Sequence, residues 1–214
     1  MPINRRTFLG SSLAAGAALS FPAISLGQQN KTYRTALIGC GWWGTNILRE
    51  AAASGRCKIV ALVDVDQRQL AKCAEEAAKW TSDVPRQYED YREMLDKEKN
   101  IDAILCATPD HWHAFVTLAS IRRGKHVYCE KPLTHSVWEA RQVARVAKET
   151  GVATQMGNQG HSGEGIRQTC EWIWDGAIGP VREVHAWSDT GKWATTLGRP
   201  KETPPVPAGF NWDL

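Results

Sequence analysis

From Tyr33 onward, short apolar runs alternate with segments whose apolar residues repeat at helical spacing. Each run is nearly continuous, which is typical of strands in a parallel sheet that carries helices on both faces. Right-handed crossovers through helices are the usual way to join such strands. The pattern therefore predicts an α/β fold built on a doubly wound parallel sheet. The predicted strands are Thr35–Ile38, Lys58–Val63, Ile101–Cys106, His126–Cys129 and Val152–Met156.

The intervening helices carry recognisable start and stop residues. Asp66 is the predicted N-cap of one helix, and Ser136 with Glu139 forms a capping box for another. Glycines stand where helices should end, because glycine readily adopts the left-handed conformation of a helix terminus. These glycines are Gly55, Gly124, Gly151 and Gly176.

The pattern of apolar and polar residues changes after Gly176. Pro180–Trp187 alternates apolar and polar residues and predicts a half-buried strand, and the residues that follow are rich in proline and glycine. We interpret 33–160 as one complete domain and 161–214 as the start of an incomplete second α/β domain. The second region contains five tryptophans, and packing of their rings in a core or interface is favoured over stacking on sugars. They are Trp172, Trp174, Trp187, Trp193 and Trp212.

The first 27 residues predict a targeting segment. Arg5 and Arg6 form a twin-arginine pair before an apolar run rich in small residues, which is typical of an export signal. Cleavage before Gln28 is favoured over a retained membrane anchor because Pro22 and the small residues suit a spanning helix poorly. The expected location is the periplasm, with no stable membrane insertion after cleavage.

Composition and charge narrow the class of protein. The chain has 214 residues, of which 43% are hydrophobic and 23% charged, as in globular proteins. A formal net charge of only +3 does not favour binding to nucleic acid, so a nucleic-acid partner is not expected. Six cysteines occur without any Cys-x-x-Cys motif, and reduced packing in the core is the preferred interpretation for Cys40, Cys73, Cys106 and Cys129.

A glycine-rich turn follows the first predicted strand. Gly39, Gly41 and Gly44 have the G-x-G-x-x-G spacing at the start of a helix, with Trp42 and Trp43 between them. Such a turn brings backbone N–H groups close to a pyrophosphate, so it indicates a dinucleotide site.

Asp64 ends the second strand, where a carboxylate binds the ribose hydroxyls of NAD. Because Arg68 lies four residues further on and could receive a 2′-phosphate, NAD is favoured over NADP only modestly.

Two further motifs end later strands. Thr108, Pro109 and His111 are predicted to line the cofactor crevice, because ligands of such sheets lie at the carboxyl ends of the strands. Asp110 is interpreted as a helix cap and His113 as a solvated side chain. A metal site formed by His111 and His113 with His161 or Glu130 is the weaker alternative, since residues two apart do not share a helix face.

Glu130-Lys131-Pro132 also follows a strand directly. Lys131 is the candidate catalytic residue, because a cationic lysine beside Glu130 could polarise a hydroxyl or carbonyl oxygen during hydride transfer.

Taken in order, these motifs and Gly157-Asn158-Gln159 resemble those of the Gfo/Idh/MocA oxidoreductases. The resemblance covers roughly 34–214, and Glu-Lys-Pro in this context is its most specific part. It implies a Rossmann domain and NAD(P)-dependent oxidation or reduction of a sugar, polyol or related carbohydrate. It further implies that Lys131 touches nicotinamide and substrate, that Glu130 and Gln159 belong to the cofactor site, and that a complete second domain forms homo-oligomers.

The resemblance gives no residue for proton transfer, since the family's acid/base histidine lies in the second domain. His161 does not take that role by default. Two alternatives therefore stay open: a non-catalytic nucleotide-binding fragment and, more weakly, a periplasmic metal- or sugar-binding protein.

Overall fold

A computed structural model describes residues 31–187, 198 and 201–214. By its contacts the chain divides into the units 1–31 and 32–214, and the second unit carries every helix and strand of the described residues. The predicted targeting segment and Trp193 lie outside the described residues. In the part of the chain that is described, no helix has both the length and the apolar character needed to cross a bilayer.

Six parallel strands form one sheet in the order β3-β2-β1-β4-β5-β6. This order, with helices in the crossovers, is that of a doubly wound Rossmann sheet, so the predicted fold is confirmed. The strands are β1 Tyr33–Ile38, β2 Cys57–Val63, β3 Arg86–Tyr88, β4 Ala103–Cys106, β5 His126–Glu130 and β6 Thr154–Gly157. The helices are α1 Trp42–Ala53, α2 Gln67–Ala77, α3 Tyr91–Lys97, α4 Asp110–Ile121, α5 Val137–Thr150 and α6 Glu164–Trp174, with a 3₁₀ turn at Gln159–Ser162.

The sheet separates two apolar cores. Leu37 of β1 packs in one core with α1 and α2, whereas its neighbours Ala36 and Ile38 pack in the other, to which α3, α4 and α5 contribute. This alternation follows from the two-residue period of a strand. All four cysteines predicted to lie in the core are buried and free.

The predicted caps are confirmed. The carboxylate of Asp66 accepts a hydrogen bond from the amide of Arg68, and Ser136 and Glu139 form the reciprocal capping box of α5. Each predicted helix-stop glycine has a positive φ, between 67° and 78°.

The prediction of a strand over Pro180–Trp187 is wrong. These residues have no ladder partner among the described residues, and all are exposed, so neither hydrogen bonds nor burial stabilise a strand. The preceding helix α6 likewise buries none of its residues. The boundary at 160 stays a prediction.

Two elements are absent from the sequence prediction, and four strand starts differ from it. Strand β3 and helix α3 were not expected, because Arg-Gln-Tyr is not an apolar run and α3 has only seven residues. Strands β1 and β2 begin earlier than predicted, at Tyr33 and Cys57, whereas β4 and β6 begin later, at Ala103 and Thr154.

Candidate functional site

The glycine turn between β1 and α1 is as tight as its spacing predicts. Gly39 has a φ of 95°, and a Cβ there would meet the carbonyl oxygen of Ala107 at 2.5 Å. A Cβ on Gly44 would lie 1.9 Å from the carbonyl oxygen of Gly39. A Cβ on Gly41, by contrast, would meet nothing within 4 Å. Gly39 and Gly44 therefore hold the turn closed, and the backbone at Gly41 faces open space.

Helix α1 begins at that open backbone without a side-chain cap. Gly41 is its N-cap, no described side chain caps its leading N–H groups, and the first turn has no acidic residue. The leading N–H groups and the positive end of the helix dipole are thus available to an anion. Trp42 is 78% exposed beside this end, and its ring centroid lies 5.3 Å from that of Trp43. The turn fits a pyrophosphate.

Asp64 lies directly beside the glycine turn. Its Oδ2 accepts a hydrogen bond of 2.7 Å from the amide of Cys40, and its Oδ1 accepts one of 2.9 Å from the amide of Asp66. Burial raises the pKa of this carboxyl, and the two amide donors work against that rise. Both carboxylate oxygens of Asp64 are thus held in place by backbone amides just after β2.

Arg68 is already engaged within the protein. Its Nε and a terminal nitrogen donate to the two carboxylate oxygens of Asp66, at 2.9 and 2.7 Å. The side-chain hydrogen bond to Arg68 holds the pKa of Asp66 below its usual value. A guanidinium bound in this bidentate way is less available to a 2′-phosphate than the sequence suggested.

The segment after β4 differs from its prediction in two respects. Pro109 is the N-cap of α4 and Asp110 is already the first helical residue, so Asp110 does not cap the helix. His111 is exposed, but His113 is 2% exposed, so the prediction that His113 is solvated is wrong. The reason is helical geometry: two residues further along, the side chain faces the core. Thr108 is half-buried and stands at the end of β4.

Glu130 turns away from its neighbour Lys131. The Glu130 side chain is buried, and its Oε1 accepts a hydrogen bond of 2.7 Å from the amide of Gln159. The same amide nitrogen lies 3.0 Å from the hydroxyl of Tyr128. Glu130 adjoins Lys131 in sequence, but its carboxylate accepts from Gln159 and makes no ion pair with the Lys131 ammonium among the described residues.

Lys131 is exposed at the carboxyl end of β5, and its ammonium makes no hydrogen bond or ion pair within the described part of the chain. The bond from Lys131 to Pro132 is cis. An uncommitted cation at this edge is free to meet a ligand.

His113 is the residue that sequence reasoning missed. Its Nδ1 lies 2.6 Å from the carbonyl oxygen of Pro132, and its Nε2 lies 2.8 Å from the carbonyl oxygen of Thr108. The ring thereby spans the loops that follow β4 and β5. Its position on the apolar face of α4, with Val116, was the available signal.

One group of potential metal ligands occurs among the described residues. The donor atoms of Cys106, His113 and Cys129 lie within 4.8 Å of one another. Metal binding needs a ring nitrogen with a free lone pair, and both nitrogens of His113 face carbonyl oxygens. The cluster therefore does not suit a metal ion as it stands.

The C-terminal residues dock beside Asp64. The amide of Asn211 donates to the carbonyl of Val65 at 2.8 Å, and the amide of Gln67 donates to the carbonyl of Gly209 at 2.9 Å. An open cavity of about 520 Å³ lies here, lined in part by Glu89 and Phe210.

Comparison with known proteins matches the part of the chain that forms the parallel sheet. The family described as "Oxidoreductase family, NAD-binding Rossmann fold" matches residues 33–158, more than half of the chain. A 2,7-anhydro-N-acetylneuraminate hydratase from Mediterraneibacter gnavus is 29% identical over 156 residues, which cover 73% of this chain and 39% of that protein.

Two solved structures share the fold. The myo-inositol 2-dehydrogenase of Lactobacillus plantarum is 30% identical with a TM-score of 0.63, covering 70% of this chain and 43% of that one. The WlbA dehydrogenase of Bordetella pertussis, in complex with NADH and UDP-GlcNAcA, is 25% identical with a TM-score of 0.59, covering 69% and 41%. The chain thus spans less than half the length of each of these relatives. With its Rossmann sheet, its glycine turn and the match over 33–158, the chain belongs to the Gfo/Idh/MocA oxidoreductase family.

Proposed function

We propose that this protein is an NAD(P)-dependent oxidoreductase that transfers hydride between nicotinamide and a sugar, polyol or related carbohydrate. The observation that carries the proposal is that the open turn at Gly41 follows β1 and the uncommitted ammonium of Lys131 follows β5, so both lie at the carboxyl end of the same parallel sheet. The names of the inositol dehydrogenase and the WlbA dehydrogenase support the carbohydrate class.

The cofactor would lie along the carboxyl ends of the strands. Gly39, Gly41 and Gly44, with the start of α1 and the rings of Trp42 and Trp43, would hold the pyrophosphate. Asp64 would bind the adenosine ribose. Thr108, Pro109 and His111, with Glu130, Lys131 and Gln159, would line the nicotinamide half. The bound cofactor would supply the hydride acceptor or donor.

NAD is the preferred cofactor in this proposal. A 2′-phosphate would approach the Asp64 carboxylate, and Asp66 already occupies the guanidinium of Arg68. The Asp64 carboxylate would repel the 2′-phosphate, and the paired guanidinium of Arg68 would not offset that repulsion. NADP is therefore disfavoured more strongly than the sequence alone indicated.

Lys131 would act on the substrate oxygen. Its ammonium would donate a hydrogen bond to a hydroxyl or carbonyl oxygen and stabilise negative charge there while the neighbouring carbon exchanges hydride. No described residue is assigned the transfer of the substrate proton.

The proposed location is the periplasm, after export of the folded protein through its twin-arginine segment. Arg5 and Arg6 before an apolar run support this. Export in the folded state would allow the cofactor to be bound in the cytoplasm first.

Titration of the chain with NADH and with NADPH tests the cofactor site, using energy transfer from Trp42 and Trp43 to the nicotinamide. We expect saturable binding that favours NADH and weakens in Asp64→Ala. Asp96→Ala is the matched control, since it removes a carboxylate that only pairs with Arg123 on the surface. A folded sample that binds neither nucleotide would refute the proposal.

Turnover separates the enzyme from its main alternative. NAD-dependent oxidation of myo-inositol or an aldose that is lost in Lys131→Met would support the enzyme. Tight NADH binding without turnover on any polyol or aldose tested would support a non-catalytic nucleotide-binding protein instead.

A further inference from the structure

We propose that His113 is a positioning residue whose ring, protonated on both nitrogens, ties the loop after β4 to the loop after β5 and thereby fixes the place of Lys131. This inference rests on the proposed function, because it concerns the nicotinamide half of the same site. It assigns a task to a buried histidine that lies outside the predicted set of cofactor-binding residues.

The geometry requires two donors on one ring. Nδ1 faces the Pro132 carbonyl at 2.6 Å and Nε2 faces the Thr108 carbonyl at 2.8 Å. Carbonyl oxygens only accept hydrogen bonds, and a neutral imidazole has a single N–H group. A neutral ring would therefore set a nitrogen lone pair against an oxygen lone pair at one of the two contacts. The imidazolium satisfies both.

The surroundings of the ring favour that charge. Burial opposes it, but the contacts with Cys129 and with the carbonyls of Pro132 and Thr108 prevail and raise the pKa of His113 to about 9. The titratable groups around the ring are Cys106 on β4 and Cys129 on β5. Among the described residues, no carboxylate lies within ion-pair distance of it.

The link reaches the candidate catalytic residue through the backbone. Pro132 is the immediate neighbour of Lys131, and Thr108 begins the segment predicted to line the cofactor crevice. Because α4 holds the ring 2% exposed, each loop is fastened to the same rigid element. The β4–β5 pairing ends at Cys106 and Cys129, so the His113 ring is the side-chain link between the two loops beyond that pairing.

Nitrogen-15 NMR of histidine-labelled protein tests the protonation state without any ligand. We expect one ring to show two protonated nitrogens at pH 7.5, and its signals to disappear in His113→Gln. A His113 ring that is neutral at pH 7.5 would overturn the proposal. This measurement uses the wild-type protein, so it holds even if the variant folds poorly.

Binding of two nucleotides tests the positioning role. A glutamine amide cannot donate to both carbonyls at these positions, so Lys131 is held less firmly, and His113→Gln should weaken NADH binding by about tenfold. ADP-ribose lacks nicotinamide, and we expect its affinity to change less than twofold. The control is His135→Gln, since this histidine is exposed and its ring makes no hydrogen bond or ion pair in the described chain.

The outcomes separate the two proposals. Equal losses of NADH and ADP-ribose affinity in His113→Gln would indicate general damage and overturn the positioning role, as would unchanged NADH affinity. Failure of the wild-type protein to bind either nucleotide would refute the proposed function, whatever the protonation state of His113.

Discussion

The side-chain amide of Gln159 lies 2.7 Å from the carboxylate of Glu130, although 29 residues separate the two along the chain. The contact joins the 3₁₀ turn after β6 to the end of β5 beneath Lys131. Gly157 makes it possible, because a Cβ there would meet Glu130 Oε1 at 2.4 Å. The predicted nicotinamide region thus rests on a partly buried polar contact rather than on an ion pair between Glu130 and Lys131.

Replacing Gly157 with alanine should destabilise the protein by about 1–3 kcal/mol, because the new methyl group must displace the Glu130 carboxylate. Urea unfolding followed by tryptophan fluorescence measures this loss. Gly160→Ala is the matched control, since a Cβ there meets nothing within 4 Å, and it should stay within about 0.5 kcal/mol of wild type. Equal stabilities for the two variants would contradict the close approach at Gly157.

Gly41→Ala and Gly44→Ala should separate cofactor binding from folding. The Gly41 variant should unfold at the wild-type urea concentration but lose most NADH affinity, because its methyl group enters the space left for the pyrophosphate. Gly44→Ala should cost about 3 kcal/mol or more, since its Cβ would collide with the Gly39 backbone. Urea unfolding and NADH titration of each variant provide the measurement. Undiminished NADH affinity in Gly41→Ala would count against the turn as the phosphate site.

Asp66→Ala should lower the unfolding free energy at pH 7 by about 1 kcal/mol, the usual cost of losing an N-cap. Because the pKa of Asp66 is depressed in the folded protein, its contribution is present above the unfolded pKa and is lost as pH falls through the folded value. The difference between wild type and variant should therefore shrink below roughly pH 4. A difference that stays constant from pH 7 to pH 3 would argue against the ionised cap.

The stabilising effect of His113 should have the opposite dependence on pH. Its pKa is raised to about 9 in the folded protein, so its contribution is complete below an unfolded pKa of about 6.5 and is lost as pH rises through 9. Unfolding free energies of wild type and His113→Gln, measured from pH 6 to pH 10, should converge at the alkaline end. Divergence there would show that the ring is not cationic in the fold.

The pairing of Arg68 with Asp66 should limit the use of NADPH. Asp64→Ser should narrow the preference for NADH over NADPH, because the repulsive carboxylate is removed. The double variant Asp64→Ser with Asp66→Asn should narrow it further, since Arg68 is then released from its bidentate partner. Paired titrations with both nucleotides measure the ratio. A double variant no better for NADPH than the single one would show that Arg68 cannot reach the 2′-phosphate.

Much of the sheet was predictable because its strands are fully buried. β1 and β2 carry continuous apolar runs that only a covered parallel sheet explains, and the glycine spacing located the turn between β1 and α1. β3 could not be predicted from hydrophobicity, because this edge strand has the sequence Arg-Gln-Tyr and buries none of its residues. Pro180–Trp187 has the alternation of a strand, yet alternation supplies no pairing partner among the described residues.

The sequence predicted where the backbone of the candidate site lies, but not how its side chains are oriented. Motif position placed Glu130 and Lys131 at the strand end, yet it could not tell that the carboxylate turns inward to Gln159. Likewise the histidine pair after β4 was recognised, but the burial of His113 was not. Which member faces the core depends on the exact first residue of α4, and helix starts are the least certain part of a sequence prediction.

Residues 209–211 hydrogen-bond to Val65 and Gln67, on either side of the Asp66 cap and next to Asp64. One end of the proposed dinucleotide site is therefore assembled from segments that lie far apart in the chain. A nucleotide that contacts both segments binds the docked arrangement more tightly than the undocked one. By linkage it must favour docking by the same factor, so occupancy of the ribose site and attachment of the C-terminal segment are a single coupled equilibrium.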